Sequence, residues 1–232
     1  RADKPGLGRF SQLTQFDLDA AGSEVVAVDA EIVAVMCEVM QALGVADFAV
    51  LVNNRKLFDA LLDGCGIHDQ AKQKHVLRVV DKLAKVGMNN VRAELGEGRV
   101  DDSGDPIPGV RLDEATIEKI VSFITSSADS RAGVIEKARA ALPSTDAANA
   151  VLIEMQEMAD ALNGLGISEQ HAKFLPSLAR GLDYYTGPVF ETVLPSAPEF
   201  GSVMGGGRYN QLVERFLERP IPCTGMAVGI DR

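Results

Sequence analysis

The sequence predicts an α+β fold: an antiparallel β-sheet with helices on one face, interrupted by a helical insertion. Two observations frame this reading. A long apolar-patterned helix and a short buried strand stand near the start, and short strands return only after His171. Between them the chain is helical and more charged, without the strand–helix–strand alternation of a parallel sheet.

Residues 1–22 read as a loop with extended flanks, punctuated by Pro5-Gly6 and Gly8, with 13–18 able to pair as a strand. Val25, Val28, Ile32, Val35, Val39 and Leu43 then recur at helical spacing, with Ser23 or Asp29 as cap and Gly44 as stop. Asp47-Phe-Ala-Val-Leu-Val52 is a continuous apolar run, read as a buried strand with Asn53-Asn54 as its exit turn and a helix over 55–62 beyond. The character changes near Gly64-Cys-Gly66. Helices broken by Gly96-Glu-Gly98 and by the turn-rich stretch 101–109 follow, the latter read as a flexible or disordered loop. Val151, Met155, Met158 and Leu162 mark another amphipathic helix, closed by Gly164 or Gly166. Residues 174–182 and 189–193 read as strands flanking a hairpin turn at Thr186-Gly187-Pro188, with further strands at Val203 and over 226–230. The expected division is a first core part over 1–60, a helical insertion over 61–145 and a second core part over 146–232.

Composition narrows the function classes. No apolar run reaches the roughly 18 residues of a membrane span, and the first residues lack the apolar core of a signal peptide, so a cytoplasmic protein is expected. Cys37, Cys65 and Cys223 are an odd, scattered set that suits free thiols. Cys65 and His68 lack a second ligand pair, so no metal site is expected from protein side chains. The net charge of −10 argues against broad nucleic-acid binding. Residues 54–146 nevertheless hold 14 Lys+Arg against 15 Asp+Glu, leaving 9 against 18 elsewhere, so a polyanion would meet the middle more readily.

The chemistry concentrates in Arg180-Gly-Leu-Asp-Tyr-Tyr-Thr-Gly187 and Gly205-Gly-Gly-Arg-Tyr209. Arginine grips phosphate or carboxylate through a planar fork, and Arg1, Arg9, Arg180 and Arg232 all stand beside strands or glycine-rich loops. Each is either a ligand arginine or a solvated surface one. Three consecutive glycines either let a ligand lie against backbone N–H groups or mark a bulge. In a strand, Tyr184 and Tyr185 would face opposite ways, whereas Gln15 and Asp19, four apart, would share a face and together hold an amino group or an imidazole N–H.

Together these residues resemble the catalytic domain of histidyl-tRNA synthetase, a class II aminoacyl-tRNA synthetase. Residues 1–22 are similar to the family's motif 2 loop, 180–187 to its histidine signature, 205–209 to its glycine-rich second signature, and Gly225-Met-Ala-Val-Gly-Ile-Asp-Arg232 to motif 3. The match is specific at both ends and looser in the middle, where Asp81-Lys-Leu-Ala-Lys85 resembles some members.

The resemblance implies a class II synthetase-like core that joins histidine to ATP, with Mg²⁺, and passes the histidyl group to tRNA(His). It implies that Arg1 and Arg180 act on the α-phosphate and the substrate carboxylate, with Arg180 stabilising charge that grows in the transition state. Asp3, Arg9 and Arg232, with Arg1, would bind ATP. Gln15, Asp19, Tyr184, Tyr185 and Tyr209 would line the histidine pocket over Gly205 and Gly206. The family commonly carries glutamate at the position of Asp19, leaving a gap of about one methylene for water or a loop shift to fill. Lys74, Arg78, Lys82 and Lys85, at helical spacing, form either a tRNA-facing stripe or a solvated helix face. Measured against the family, the chain spans motif 2 to motif 3 and leaves out motif 1, which builds the dimer interface, and the anticodon-binding domain. An excised core of a homodimeric parent is the expectation. The alternatives are a synthetase-like subunit that senses histidine and regulates its biosynthesis, and a domain that senses tRNA.

Overall fold

The computed structural model describes residues 10, 12–179, 184–214 and 219–232. In chain order the elements are β1 (Gln15–Ala21), α1 (Val26–Ala42), β2 (Ala49–Asn54), α2 (Arg55–Gly64), α3 (Gln70–Val80), α4 (Leu83–Val86), α5 (Met88–Leu95), β3 (Gly98–Val100), β4 (Pro106–Pro108), α6 (Glu114–Ile124), α7 (Arg131–Ala141), α8 (Asp146–Gly164), β5 (Ala172–Phe174), β6 (Pro188–Val193), β7 (Ser202–Arg208) and β8 (Cys223–Gly229). They form two compact units. The described residues of one fall within 10–52, 154–174 and 184–232; those of the other within 53–153 and 175–179.

The first unit is built on a six-stranded sheet in the order β1-β8-β7-β6-β2-β5. β1, β8, β7 and β6 pair antiparallel, as expected of the fold class. β2 and β5 depart from it by running parallel, with Val50 opposite Ala172 and Val52 opposite Phe174. Of the stretch expected as a strand over 174–182, the described residues 174–179 have only Phe174 in a strand, and that strand is not one arm of a hairpin. The strand there is short, and it pairs with β2 because a long connection of helices, rather than a tight turn, separates the two.

α1 packs against β8, β7 and β6. Its buried stripe is Ala30, Ile32, Val33, Met36, Cys37 and Met40, and enclosing each of the larger ones contributes roughly 1.5–3 kcal/mol. This is a rotated version of the expected stripe. Val25 and Leu43, at the two ends, are exposed, and Val28, Val35 and Val39 lie half-buried at the margin. The helix is apolar almost all round, so spacing alone left its rotation open. Neither expected cap holds: the N-cap is Val25 without a side-chain bond, and Asp29 is buried inside the fold. Gly44 does end the helix, at φ +75°, with its N–H bonded to Gln41 O and Val45 N–H reaching Met40 O. In α8 the expected positions Val151, Met155, Met158 and Leu162 are all buried.

The second unit is helical. Four of its helices start where side chains accept orphan N–H groups, Asn54 for α2, Asp69 for α3, Asp113 for α6 and Ser130 for α7, whereas α4 and α5 have no side-chain cap. Phe58 of α2 and Phe123 of α6 meet edge to face, with ring centres 5.3 Å apart. The turn-rich stretch after α5 is ordered, contrary to expectation: β3 and β4 pair antiparallel, and Asp101 Oδ1 accepts from the N–H groups of Ser103 and Asp105 across the turn. Among the described residues, no helix is long and apolar enough to cross a membrane.

Candidate active site

Directly opposed residues of an antiparallel pair send their side chains to one face. The register therefore assembles a row across four strands, Asp19, Gly225, Gly207 and Val189, and beside it a second row, Asp17, Ala227, Gly205 and Glu191. The face that carries these rows is the opposite of the one α1 covers. Its middle strands offer only glycine and alanine in these rows, giving a shallow floor about 14 Å across from β1 to β6, three steps at the usual strand spacing.

The bare backbone is a steric requirement. A Cβ on Gly225 would lie 2.0 Å from Asp19 Oδ1 and 2.6 Å from Leu18 O. One on Gly207, whose φ is +156°, would lie 2.8 Å from Cδ1 of Tyr185. The glycines thus admit the Asp19 carboxylate and the Tyr185 ring against the sheet. Gly205 shares this floor, half-buried. Gly206 does not: it belongs to the face toward α1, and a Cβ there would lie 2.1 Å from Gly225 O.

Tyr209 follows β7 and keeps the parity of Gly205 and Gly207, so its ring stands on the open face. Its hydroxyl donates to Asp19 Oδ1. Burial, reinforced by the neighbouring Asp19, pushes this phenol well above its ordinary range and keeps it a protonated donor. Tyr184 and Tyr185 are not in a strand and are not turned to opposite faces. Their rings are 4.6 Å apart, with hydroxyl oxygens 3.5 Å apart, and Tyr184 also stands edge-on to Tyr209 at 6.1 Å. Below them Cys223 is buried; desolvation, with Asp19 nearby, raises its thiol and makes it a poor nucleophile.

Of the expected site residues, the structure brings together Asp19, Tyr184, Tyr185 and Tyr209 over the glycine floor. Gln15 lies on the same face of β1, opposite Gly229, but roughly 13 Å from Asp19 along the strand. Arg232 lies beyond β8, its guanidinium donating to Ser202 O. Arg1, Asp3, Arg9 and Arg180 lie outside the described residues. Lys74, Arg78, Lys82 and Lys85 do not share one helix, because α3 stops at Val80 and Lys82 precedes α4. The break is stabilised by Lys82 Nζ, which lies 2.8 Å from the buried Glu94 carboxylate. Among the described residues, no group of three His, Cys, Asp or Glu side chains is arranged to hold a metal ion.

Sequence reasoning missed Asp29 and Arg208. Arg208 points to the α1 side, where it is almost wholly buried. Its Nε and Nη2 lie 2.9 and 2.8 Å from Asp29 Oδ2, and its Nη1 donates to Ser23 O at 2.8 Å. Burial pushes the Asp29 carboxyl upward, while the bonds from Arg208 oppose that shift. An arginine inside a glycine-rich strand and an acidic residue in an apolar helix were the available signals.

The family model for histidyl-tRNA synthetase matches residues 1–232. The histidine–tRNA ligase of Brucella ovis is 44% identical across the whole chain, which covers 49% of that protein. The histidine–tRNA ligase of Paracoccus denitrificans is 40% identical with the same coverage of each. The chain thus spans about half the length of the curated relatives it matches. Among solved structures, histidyl-tRNA synthetase from Nostoc sp. PCC 7120 superposes on 93% of this chain and 47% of its own, with TM-score 0.78 and 26% identity. A Bacillus halodurans structure titled as an ATP phosphoribosyltransferase regulatory subunit/histidyl-tRNA synthetase shares the fold at TM-score 0.75 and 24% identity, over 94% of this chain and 52% of that one.

Proposed function

We propose, from the premise that this chain belongs to the histidyl-tRNA synthetase family, that the open face of its antiparallel sheet is the histidine-activating surface of a histidine–tRNA ligase. Histidine and ATP, as its magnesium complex, give histidyl-adenylate and pyrophosphate, and the histidyl group then passes to tRNA(His). The observation that carries the reading is the Tyr209–Asp19 hydrogen bond over the glycine floor. A protonated phenol holds one carboxylate oxygen, leaving the other to accept an imidazole N–H or a substrate ammonium.

In the first step the substrate carboxylate attacks the α-phosphorus, an O–P bond forms, and the bond to the pyrophosphate oxygen breaks. The protein's task is alignment and charge stabilisation. In this reading Arg1 and Arg180 hold the α-phosphate and the substrate carboxylate, Arg9 and Arg232 the outer phosphates, and Asp3 stands near the adenine. Gln15, Asp19, Tyr184, Tyr185 and Tyr209 surround the histidine side, with Gly205 beneath it. The helical unit serves as an insertion of the catalytic core, and its Lys74, Arg78 and Lys85, on either side of the α3 end, meet the tRNA acceptor arm. The parent protein acts as a homodimer in the cytoplasm.

Histidine-dependent exchange of pyrophosphate into ATP by the full-length parent tests this reading. Tyr209→Phe is expected to raise the histidine KM about tenfold and leave the ATP KM within about twofold. Histidine binding without any exchange would favour a histidine-sensing regulatory subunit instead.

A further inference from the structure

Arg208 and Tyr209 are neighbours in sequence but serve opposite faces of the sheet. The tyrosine meets Asp19 on the open face. The arginine is sunk on the other, holding Asp29 of α1 and, through Nη1, the carbonyl of Ser23 just before that helix. The main chain between them is fixed from both sides: Thr186 N–H donates to Arg208 O, and Tyr209 N–H donates to Cys223 O. Asn210 N–H closes the bracket on Thr186 Oγ1 at 3.1 Å. The Arg208 stem also runs against Gly187, where an added Cβ would lie 3.2 Å from Cδ. One buried arginine, by its guanidinium on one side and its main chain and stem on the other, therefore joins the two tyrosine-bearing segments to the start of α1.

We propose that the Asp29–Arg208 pair is a positioning device for the histidine pocket: it fixes the end of β7 so that the Tyr209 hydroxyl reaches Asp19. The inference rests on the reading that Asp19 and Tyr209 take up histidine. A buried arginine finds its energy minimum only where its charge and its N–H groups are met. Asp29 and the Ser23 carbonyl meet them at one place, so the backbone carrying Arg208 has one depth in the sheet. Tyr209, one residue on, inherits that depth with its direction reversed by the strand's alternation. Asp29 and Arg208 touch no substrate in this scheme; they act through Tyr209.

A double-mutant cycle in the full-length parent tests the coupling, read by histidine-dependent pyrophosphate exchange with thermal melts as a check on folding. Asp29→Asn is expected to raise the histidine KM about fivefold, with the ATP KM changed by less than about twofold and kcat changed less than the histidine KM. Combined with Tyr209→Phe, it is expected to add less than about twofold to that variant's effect, because both act through one contact. A folded Asp29→Asn protein with wild-type histidine KM, a fall in kcat alone, or a full multiplication with Tyr209→Phe overturns the proposal. Should Asp29→Asn fail to fold, Arg208→Lys, which keeps the charge but loses the fork, is put through the same cycle with the same expected and overturning outcomes. Absence of exchange in the wild-type protein overturns the catalytic reading alone. The cycle is then read on histidine affinity by calorimetry, where additivity again defeats the proposal.

Discussion

Asp29 in the sheet unit and Glu94 in the helical unit are both closed off from solvent, with exposures of 0% and 1%, yet their surroundings treat the charge in opposite ways. Asp29 shares a sealed space with one buried arginine, and desolvation outweighs the bonds it receives, so its carboxyl is raised. Glu94 is also desolvated, but Lys82 and Arg99 approach it from the surface, each at 2.8 Å, and their bonds hold its carboxyl below the ordinary range. Burial of the carboxylate is thus a poor guide to its titration. What decides the sign is the balance between desolvation and the bonds received, which a single arginine does not tip at Asp29 and two cations together do at Glu94. The arrangement at Asp29 gives up solvation for a fixed geometry behind the tyrosine cluster. At Glu94 two partly solvated cations tie the α3–α4 break and the β3–β4 hairpin to α5.

The comparison is broken most directly by Arg208→Leu. This change leaves the Asp29 charge enclosed without a partner and is expected to cost about 3–5 kcal/mol, measured as faster hydrogen exchange at α1 and β7 amides. A loss below about 1 kcal/mol would mean that water reaches Asp29 and that the pair is not sealed.

Glu94→Gln is expected to cost about 2–3 kcal/mol near neutral pH, read from amide exchange in α5 and β3. Its pH dependence sharpens the contrast. The folded carboxyl of Glu94 titrates below its ordinary value of 4.5, so its contribution is present above that value and is lost as pH falls. The gap between wild type and Glu94→Gln should therefore narrow on acidification. For Asp29 the folded protein holds the proton more tightly than the unfolded chain, whose ordinary value is 3.8. The gap between wild type and Asp29→Asn should accordingly widen over the same range. Parallel slopes would erase the distinction.

Lys82→Met should give the smallest effect, under about 1 kcal/mol, because Lys82 remains 42% exposed and Arg99 still serves Glu94. Equality with Glu94→Gln in the same exchange measurement would show instead that the two cations act as one unit.

Much of the fold was legible in the chain. α8 could be read because its apolar residues recur on one side among polar ones, and Gly44 because a helix stop needs a residue free to adopt positive φ. The rotation of α1 was not legible, since its valines leave more than one apolar stripe and the sheet chooses among them. The ordered hairpin after α5 was hidden for another reason. Its turn residues have the composition of a loop, and order came from Asp101 bonding across the turn and from Gly109, where a Cβ would lie 2.0 Å from Gly96 O.

The candidate site divides in the same way. Sequence by itself determined the class of fold and, through the resemblance of its ordered motifs to the family, singled out Asp19, Tyr184, Tyr185, Tyr209 and the glycine run as candidates, although each taken alone reads equally well as a surface, core or bulge residue. Tertiary structure decided that both tyrosines of the Tyr184-Tyr185 pair face one cluster, that Gln15 stands well away from Asp19, and that Arg208 turns inward to Asp29. Those outcomes depend on strand register and on a charge pairing between residues 179 positions apart, and no local pattern encodes which buried cation will find which buried anion.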